Sequence, residues 1–146
     1  MGLIDDVGTG PVAIDTAAFI YFMEAHPRYL PILEPLFQAA DAGRLELVTS
    51  AVTLLEVLVV PFRAGDARLA ERYEALLTQS AGLECIDLSL PNLRIAAQLR
   101  AQFRVKTPDA LQLGAALSRR CTSLVTNDRD LPAIPTLRVI QLRDYA

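Results

Sequence analysis

Two kinds of pattern alternate along the chain: short apolar runs bounded by polar or turn residues, and longer segments with apolar residues at helical spacing. The short runs predict buried strands, and they lie at residues 11–15, 44–50, 83–89, 122–128 and 137–142. The longer segments predict helices, and they lie at residues 16–25, 29–43, 50–65, 66–82, 90–103 and 107–120. Because strands alternate with helices, we expect an α/β fold around a central, mostly parallel sheet of four to five strands.

The same pattern predicts the domain limits. Residues 1–10 are acidic and rich in glycine, so we expect a flexible N-terminal lead-in. Residues 11–146 contain no repeat and no linker-like stretch, and their number fits one domain. At the helix starts, Asp66 and Thr107 are the expected N-caps, because their side-chain oxygens can accept hydrogen bonds from free backbone N–H groups.

Composition then excludes several classes of function. The net charge of −3 argues against a globally basic nucleic-acid binder, although it allows a local basic patch. No apolar run reaches the roughly eighteen residues of a membrane helix, and the N-terminus lacks the basic and apolar regions of a signal peptide. We therefore expect a cytoplasmic protein without a membrane partner. With His26 as the one histidine, a histidine triad or zinc site cannot form within one chain.

Candidate chemistry begins with Glu56, the single charge in the otherwise apolar stretch 50–62. A buried, unpaired carboxylate costs several kcal/mol, so Glu56 must either face water or have a partner. Asp15 and Asp128 end predicted strands, and Asp109 opens a predicted helix, where the ligand sites of α/β sheets form. Four clustered carboxylates require a cation to stay ionised, and oxygen ligands select Mg²⁺ or Mn²⁺.

Each of these acids also has an ordinary structural explanation, and both explanations stay open at this point. Asp109 in a first helical turn is favoured by the helix dipole. Asp128 is a common type of turn residue, and Asp15 can cap the helix that follows it. Glu56 can face water.

Four segments carry a more specific signal. They are AIDTAAFI at 13–20, TSAVTLLEVL at 49–58, KTPDALQLGAAL at 106–117 and LVTNDRDL at 124–131. In order and spacing, from about residue 12 to residue 142, they resemble the PIN domain family, specifically the VapC-like toxin ribonucleases of bacterial and archaeal toxin–antitoxin pairs. The chain departs from this pattern at Gln112, where many members have His.

The resemblance implies a PIN-like three-layer α/β/α sandwich and metal-dependent cleavage of RNA phosphodiesters, an endoribonuclease activity that uses Mg²⁺ or Mn²⁺. It implies that four acids are the catalytic metal ligands, namely Asp15, Glu56, Asp109 and Asp128. It gives accessory roles to four further residues, namely Thr16, Thr126, Asn127 and Asp130.

The resemblance also implies partners: an RNA substrate (tRNA, rRNA or mRNA) and a VapB-like antitoxin. Candidate phosphate contacts are Arg100 and Arg104, four apart on one predicted helix face, together with Lys106 and Arg129. For any one of these arginines, an ordinary solvated surface is the simpler explanation. The apolar helices at 16–43 and 51–80 exceed the needs of one small core, so we expect a homodimer face and a groove for a partner helix.

Three alternatives remain. The first is a PIN-fold scaffold or RNA-binding module without catalysis. The second is a haloacid-dehalogenase-like phosphatase, which would need a second acid two residues after Asp15, where Ala17 stands. The third is a receiver-type signalling domain, whose Lys-Pro pair should follow the last core strands, whereas KTP at 106–108 precedes the strand at 122–128.

Overall fold

The computed structural model describes residues 2–146, and a five-stranded sheet forms the centre of that part of the chain. The strands are β1 (Val12–Ile14), β2 (Leu47–Ser50), β3 (Leu83–Ile86), β4 (Ser123–Thr126) and β5 (Arg138–Gln141). Their order is β3-β2-β1-β4-β5, and every neighbouring pair is parallel. The expected mostly parallel sheet is therefore confirmed, and all of its pairings are parallel.

Helices connect the strands. They are α1 (Leu3–Asp6), α2 (Thr16–Met23), α3 (Leu30–Asp41), α4 (Val52–Arg63), α5 (Ala67–Gln79), α6 (Leu90–Gln102) and α7 (Thr107–Ser118), and a 3-10 helix follows at Leu142–Tyr145. No helix within residues 2–146 is long and apolar enough to cross a membrane.

Successive strand residues point to opposite faces of the sheet, and this alternation creates two cores. In β1, Val12 and Ile14 pack on one face with side chains from α1 to α5, such as Phe19. Ala13 packs on the other face with side chains from α6 and α7, such as Leu113. The expected three-layer α/β/α sandwich is confirmed, and because the central strands are buried on both faces, they appear in the sequence as continuous apolar runs.

The N-terminal segment differs from the expected flexible lead-in. Residues 3–6 form α1, and Leu3 and Val7 are buried in the core beneath it. The Arg138 guanidinium donates to the backbone carbonyl of Asp6 at 3.2 Å, and the Tyr145 hydroxyl donates to the Asp6 carboxylate. The acidic, glycine-rich composition concealed the two buried apolar residues that attach this segment to the domain.

The two cap predictions have different outcomes. The Asp66 carboxylate accepts a hydrogen bond from the backbone N–H of Leu69 at 3.1 Å, which confirms its role. Thr107, the other predicted N-cap, is instead the first residue of α7, and Lys106 occupies the cap position without a side-chain bond. The Thr107 hydroxyl accepts a hydrogen bond from the guanidinium of Arg100 at 3.0 Å, so the cap prediction was wrong by one residue.

Gly82 lies just before β3, at a position with no room for a side chain. Its φ is +74°, and an added Cβ would lie 2.4 Å from the carbonyl oxygen of Ala40 at the end of α3. Gly65 has a similar φ of +66°, but open space surrounds the position of its Cβ.

We therefore expect Gly82→Ala to lower the free energy of unfolding by about 3 kcal/mol, because backbone strain and a steric clash add. Gly65→Ala introduces the backbone strain without a steric clash, so it should lower the free energy of unfolding by about 1 kcal/mol. Chemical denaturation of the two variants measures the difference, and equal losses would contradict the close approach of β3 and α3.

Candidate functional site

The candidate site lies where the chain changes its direction of travel across the sheet. Strands β2 and β3 lie on one side of β1, and strands β4 and β5 lie on its other side. The sheet therefore has its switch point between the neighbouring strands β1 and β4. Ligands of open α/β sheets bind outside the carboxyl ends of the strands at such a point. Asp15 directly follows β1 and Asp128 lies two residues after β4, so the fold brings both to this crevice.

Asp15 is both a helix cap and a buried acid. Its Oδ1 accepts from the backbone N–H of Ala18 in α2 at 3.3 Å, and its Oδ2 accepts from the hydroxyl of Thr126. Burial raises the pKa of the Asp15 carboxyl to about 6, the charges of Asp128 and Asp109 add to this, and the two hydrogen bonds oppose it. The cap explanation is thus correct, and it does not remove the electrostatic cost of this carboxylate.

Asp109 experiences the same kind of environment from the first turn of α7. Burial is the main cause that raises the pKa of the Asp109 carboxyl, and the charges of Asp128, Glu56 and Asp130 raise it further. The ammonium group of Lys106 lowers it. The charges of acids from separate segments therefore affect Asp15 and Asp109 across the switch point.

Glu56 lies at the boundary between core and solvent on α4. Its neighbour Val57 is buried at 2% exposure, whereas Leu55 on its other side is 65% exposed. The Oε1 atom of Glu56 accepts a 2.6 Å hydrogen bond from the hydroxyl of Thr16, the first residue of α2. Glu56 is thus tolerated among apolar neighbours because it is only half-buried and has a hydroxyl partner.

Asp128 belongs to a tight turn. Its Oδ1 accepts from the backbone N–H of Asp130 at 2.9 Å, and its own N–H donates to the Thr126 hydroxyl at 2.9 Å. The Thr126 hydroxyl therefore accepts from the Asp128 backbone and donates to Asp15, which links the two strand ends. The turn explanation is correct, and the charge of Asp128 nevertheless reaches Asp15 and Asp109.

Asn127 and Asp130, two of the expected accessory residues, differ in their environment. The Asn127 Oδ1 accepts from the backbone N–H of Arg143 at 3.0 Å, and its amide donates to the Tyr21 hydroxyl at 3.5 Å. Its side chain thus attaches the turn to the C-terminal segment. Asp130 is exposed, and its charge contributes to the raised pKa of Asp109.

Sequence reasoning missed a buried polar cluster below Glu56. The Gln112 amide nitrogen donates to the hydroxyls of Thr53 at 2.6 Å and Thr16 at 3.3 Å. Gln112 was noted as a departure from the family pattern, but no role was predicted for it. Its spacing of three residues from Asp109 was an available signal, because residues three apart share a helix face.

The expected phosphate contacts are only partly available. Arg100 donates to the carbonyl of Val105 at 3.1 Å and to the Thr107 hydroxyl, so its guanidinium holds the turn between α6 and α7. Because α6 ends at Gln102, Arg104 lies beyond it, and the prediction of one shared helix face was wrong.

Three other cations near the site project into solvent. Arg104, Lys106 and Arg129 are exposed, and Lys106 and Arg129 stand next to segments that carry site acids.

The side chains fit a hard divalent cation by their chemistry, although they are not arranged as a ready-made cage. Within residues 2–146, no three His, Cys, Asp or Glu side chains are grouped closely enough to hold a metal ion. Asp15 and Glu56 are instead satisfied by threonine hydroxyls. The donor set consists of carboxylate oxygens, and their mutual repulsion would be relieved by a bound Mg²⁺ or Mn²⁺.

The family model for the PIN domain matches residues 12–137 of the chain. No curated protein sequence matches the chain significantly.

Solved structures of VapBC proteins have similar folds. VapBC2 from Rickettsia felis, solved bound to a DNA fragment from its promoter, has a TM-score of 0.67 at 20% identity, covering 89% of this chain and 97% of that one. DNA-bound VapBC from Salmonella typhimurium has a TM-score of 0.62 at 24% identity, covering 90% and 97%. VapC20 of Mycobacterium tuberculosis, a toxin that cleaves the sarcin-ricin loop, has a TM-score of 0.64 at 14% identity, covering 82% and 91%. At these identities, the similarity establishes a shared fold.

The raised pKa of Asp15 predicts a pH dependence of stability. An acid with a raised pKa in the folded state stabilises the fold below its unfolded pKa, and this stability is lost as the pH rises through the folded value. In EDTA, the free energy of unfolding should therefore increase between pH 7.5 and pH 4, with Asp15 contributing at most about 3 kcal/mol.

Asp15→Asn keeps a capping side chain but cannot ionise, so it should lose that contribution. The difference between the wild-type and variant pH profiles reports the titration of Asp15 together with its coupling to Asp128 and Asp109. Parallel profiles would contradict a buried, destabilised carboxylate at this position.

Proposed function

The chain belongs to the PIN domain family, and from this premise we propose that it is a metal-dependent endoribonuclease that hydrolyses RNA phosphodiester bonds. The observation that carries the proposal is electrostatic: the charges of Asp128 and Glu56 act on Asp109, and those of Asp128 and Asp109 act on Asp15, although the four acids come from four separate segments. Burial and mutual repulsion raise the pKa values of Asp15 and Asp109, and Lys106 is the cation that opposes this at Asp109. A fold maintains such a costly arrangement when the acids bind a cation.

Asp15, Glu56, Asp109 and Asp128 would hold one or two Mg²⁺ or Mn²⁺ ions. When bound, the metal would lower the pKa of a water molecule and stabilise the charge that develops on the phosphate oxygens. The protein's own contribution is orientation: the Thr126 hydroxyl fixes one oxygen of Asp15, and the Thr16 hydroxyl fixes one oxygen of Glu56. Asp130 would be an accessory acid at the rim.

The surface around the crevice is compatible with RNA. If the four site acids are set aside, acidic and basic residues are almost equal in number, so the overall charge of −3 arises largely from the site itself. Arg104, Lys106 and Arg129 are exposed and would contact phosphates. Arg100 would act mainly by holding the turn that carries Arg104 and Lys106.

We also propose that the chain is the toxin of a VapBC-type pair and acts in the cytoplasm with a VapB-like antitoxin. Support comes from the similar solved structures, which include VapBC complexes. A groove of ≈ 350 Å³ between α2, α3, α5 and β3 would take an apolar segment of the antitoxin. Its apolar lining includes Phe22, Leu30, Phe37, Leu76 and Leu83.

A catalytically inactive PIN scaffold or RNA-binding module is the second candidate. It is favoured by the lack of a three-acid metal cage within residues 2–146. The phosphatase and receiver alternatives lose support, because a PIN family match extends over residues 12–137.

The test is incubation of the purified, partner-free protein with total tRNA and rRNA in Mg²⁺, in Mn²⁺ and in EDTA. We expect discrete fragments that require metal, and a loss of about 100-fold or more in cleavage rate in Asp109→Asn, because a metal ligand is removed. Asp41→Asn, an exposed acid at the end of α3, is the matched control and should cleave like the wild type.

Two results would count against catalysis. Metal binding without cleavage of any RNA would favour the scaffold candidate. Equal cleavage by Asp109→Asn would place the chemistry at other residues.

A second copy of the chain is the proposed partner for an exposed apolar patch. On α4, Leu55, Val60 and Phe62 are each at least 65% exposed, and Val59 is 38% exposed. Leu90 on α6 is 78% exposed. Such a concentration of large apolar side chains on one helix is typical of a protein interface, and a symmetric dimer covers it by pairing the same patch on both copies.

We expect Phe62→Asp to convert a dimer to a monomer at micromolar concentration, because it places a charge in the apolar contact. Light scattering during size-exclusion chromatography measures the mass, and circular dichroism checks the fold. Ala67→Asp, at the exposed start of α5, is the control and should stay dimeric. A wild-type monomer at these concentrations would remove the proposal.

A further inference from the structure

Gln112 is a buried polar residue next to the site. It is 7% exposed and follows Asp109 by three residues on α7, so both residues lie on the same side of the helix. A buried amide is costly unless its donors and acceptor have partners. The partners of Gln112 come from three other segments, and one of them contacts Glu56.

The hydrogen bonds fix the orientation of the Gln112 amide. Its Oε1 accepts from the backbone N–H of Ser50 at the end of β2 at 3.3 Å. Its Nε2 has two hydrogens, and it faces the hydroxyl of Thr53 at 2.6 Å and the hydroxyl of Thr16 at 3.3 Å. Both threonine hydroxyls are therefore acceptors from Gln112.

This orientation determines which acceptor receives the single hydroxyl hydrogen of each threonine. Thr16 can donate either to Glu56 Oε1 at 2.6 Å or to Thr53 Oγ1 at 3.2 Å. The bond to Glu56 is the favoured choice, because it is shorter and its acceptor is a carboxylate, whereas Thr53 already uses one lone pair to accept from Gln112 at 2.6 Å.

The remaining hydroxyl hydrogens connect the cluster to the sheet. We call the chain of hydrogen bonds from Gln112 through Thr53 and Thr49 to the backbone of β1 the anchor. Thr53 is free to donate to Thr49 at 2.8 Å, and Thr49 donates to the carbonyl of Ile14 at 2.8 Å. Every hydroxyl hydrogen then has one acceptor, and the chain of bonds from Gln112 ends on the backbone of β1. This backbone is fixed by pairing with β2 and β4.

We propose that Gln112 is the positioning residue for Glu56: its amide directs the Thr16 hydroxyl onto Glu56 Oε1, and so holds this carboxylate in place for a divalent cation. The inference rests on the proposed function, because Glu56 is one of the proposed metal ligands. Ser50 and Thr53 satisfy the amide oxygen and one of the two amide hydrogens of Gln112, and Thr16 accepts the other hydrogen. The contact with Thr16 is the one that links the buried anchor to the site.

The experiment measures Mn²⁺ affinity by calorimetry for the wild type, Gln112→Met, Thr16→Val and the double variant. We expect each single substitution to weaken Mn²⁺ binding by about 10-fold. Because both act through one hydroxyl, the double variant should bind within about 2-fold of Thr16→Val. Thr16→Ser, which keeps the hydroxyl, should bind like the wild type.

Thr49→Val is the matched control for a loss of buried hydrogen bonds. It removes the last hydroxyl of the anchor without touching Gln112 or Thr16, so it should lower the free energy of unfolding and leave Mn²⁺ affinity unchanged. Should Gln112→Met fail to fold, Gln112→Asn replaces it. Its amide is one methylene shorter and cannot reach Ser50 and Thr16 together, so the same loss of affinity is expected.

Wild-type Mn²⁺ affinity in Gln112→Met, or independent effects that multiply in the double variant, would overturn the inference while leaving the proposed function intact. Absence of Mn²⁺ binding by the wild type would instead count against the proposed function. In that case the free energy of unfolding without metal tests the role of Gln112. Gln112→Met should lower it less in a Glu56→Gln background than in the wild type, and equal losses in the two backgrounds would overturn the positioning role.

Discussion

The cost of burying carboxylates near the carboxyl ends of β1 and β4, to which their mutual repulsion adds, is the constraint on which the candidate site depends. Asp15 carries the largest share, because it directly follows the central strand and burial raises its pKa to about 6. The fold offsets this cost with the Thr126 hydroxyl and the N–H of Ala18. These donors reduce this cost without abolishing it, and the remaining negative potential would favour a bound cation.

Two acids of the candidate site perform structural tasks that are compatible with the proposed function. Asp15 caps α2, and Asp128 closes a turn onto Asp130. Because a carboxylate has two oxygens with several lone pairs, it can complete local backbone structure and still face the crevice. An ordinary structural explanation for such an acid therefore does not argue against catalysis. The two explanations are compatible whenever a strand end or a helix start is also the edge of a binding site.

Hydroxyl and amide groups form a network of hydrogen bonds next to the acids of the candidate site. Thr16, Thr53 and Gln112 come from α2, α4 and α7, and their hydrogen bonds join the three helices below Glu56. An apolar contact could bring these helices together, but it could not direct a hydrogen toward one oxygen of a carboxylate. Neutral donors also avoid adding charge to a region where like charges already raise the pKa of Asp109.

The sequence by itself determined the element order from β1 onward and the parallel sheet, because burial on both faces makes strands continuous apolar runs. It also predicted the four candidate acids, because the motifs that carry them are local in sequence. It did not reveal the burial of Leu3 and Val7, since three apolar residues in a short acidic segment are too few to establish a helical period. It predicted the end of α6 to within one residue, but it wrongly assigned Arg104 to a face of that helix. Only the tertiary structure decided which hydroxyl serves which carboxylate, because Gln112 contacts Thr16 across 96 positions of sequence. Such pairings depend on how helices pack on the sheet, and no local pattern records that packing.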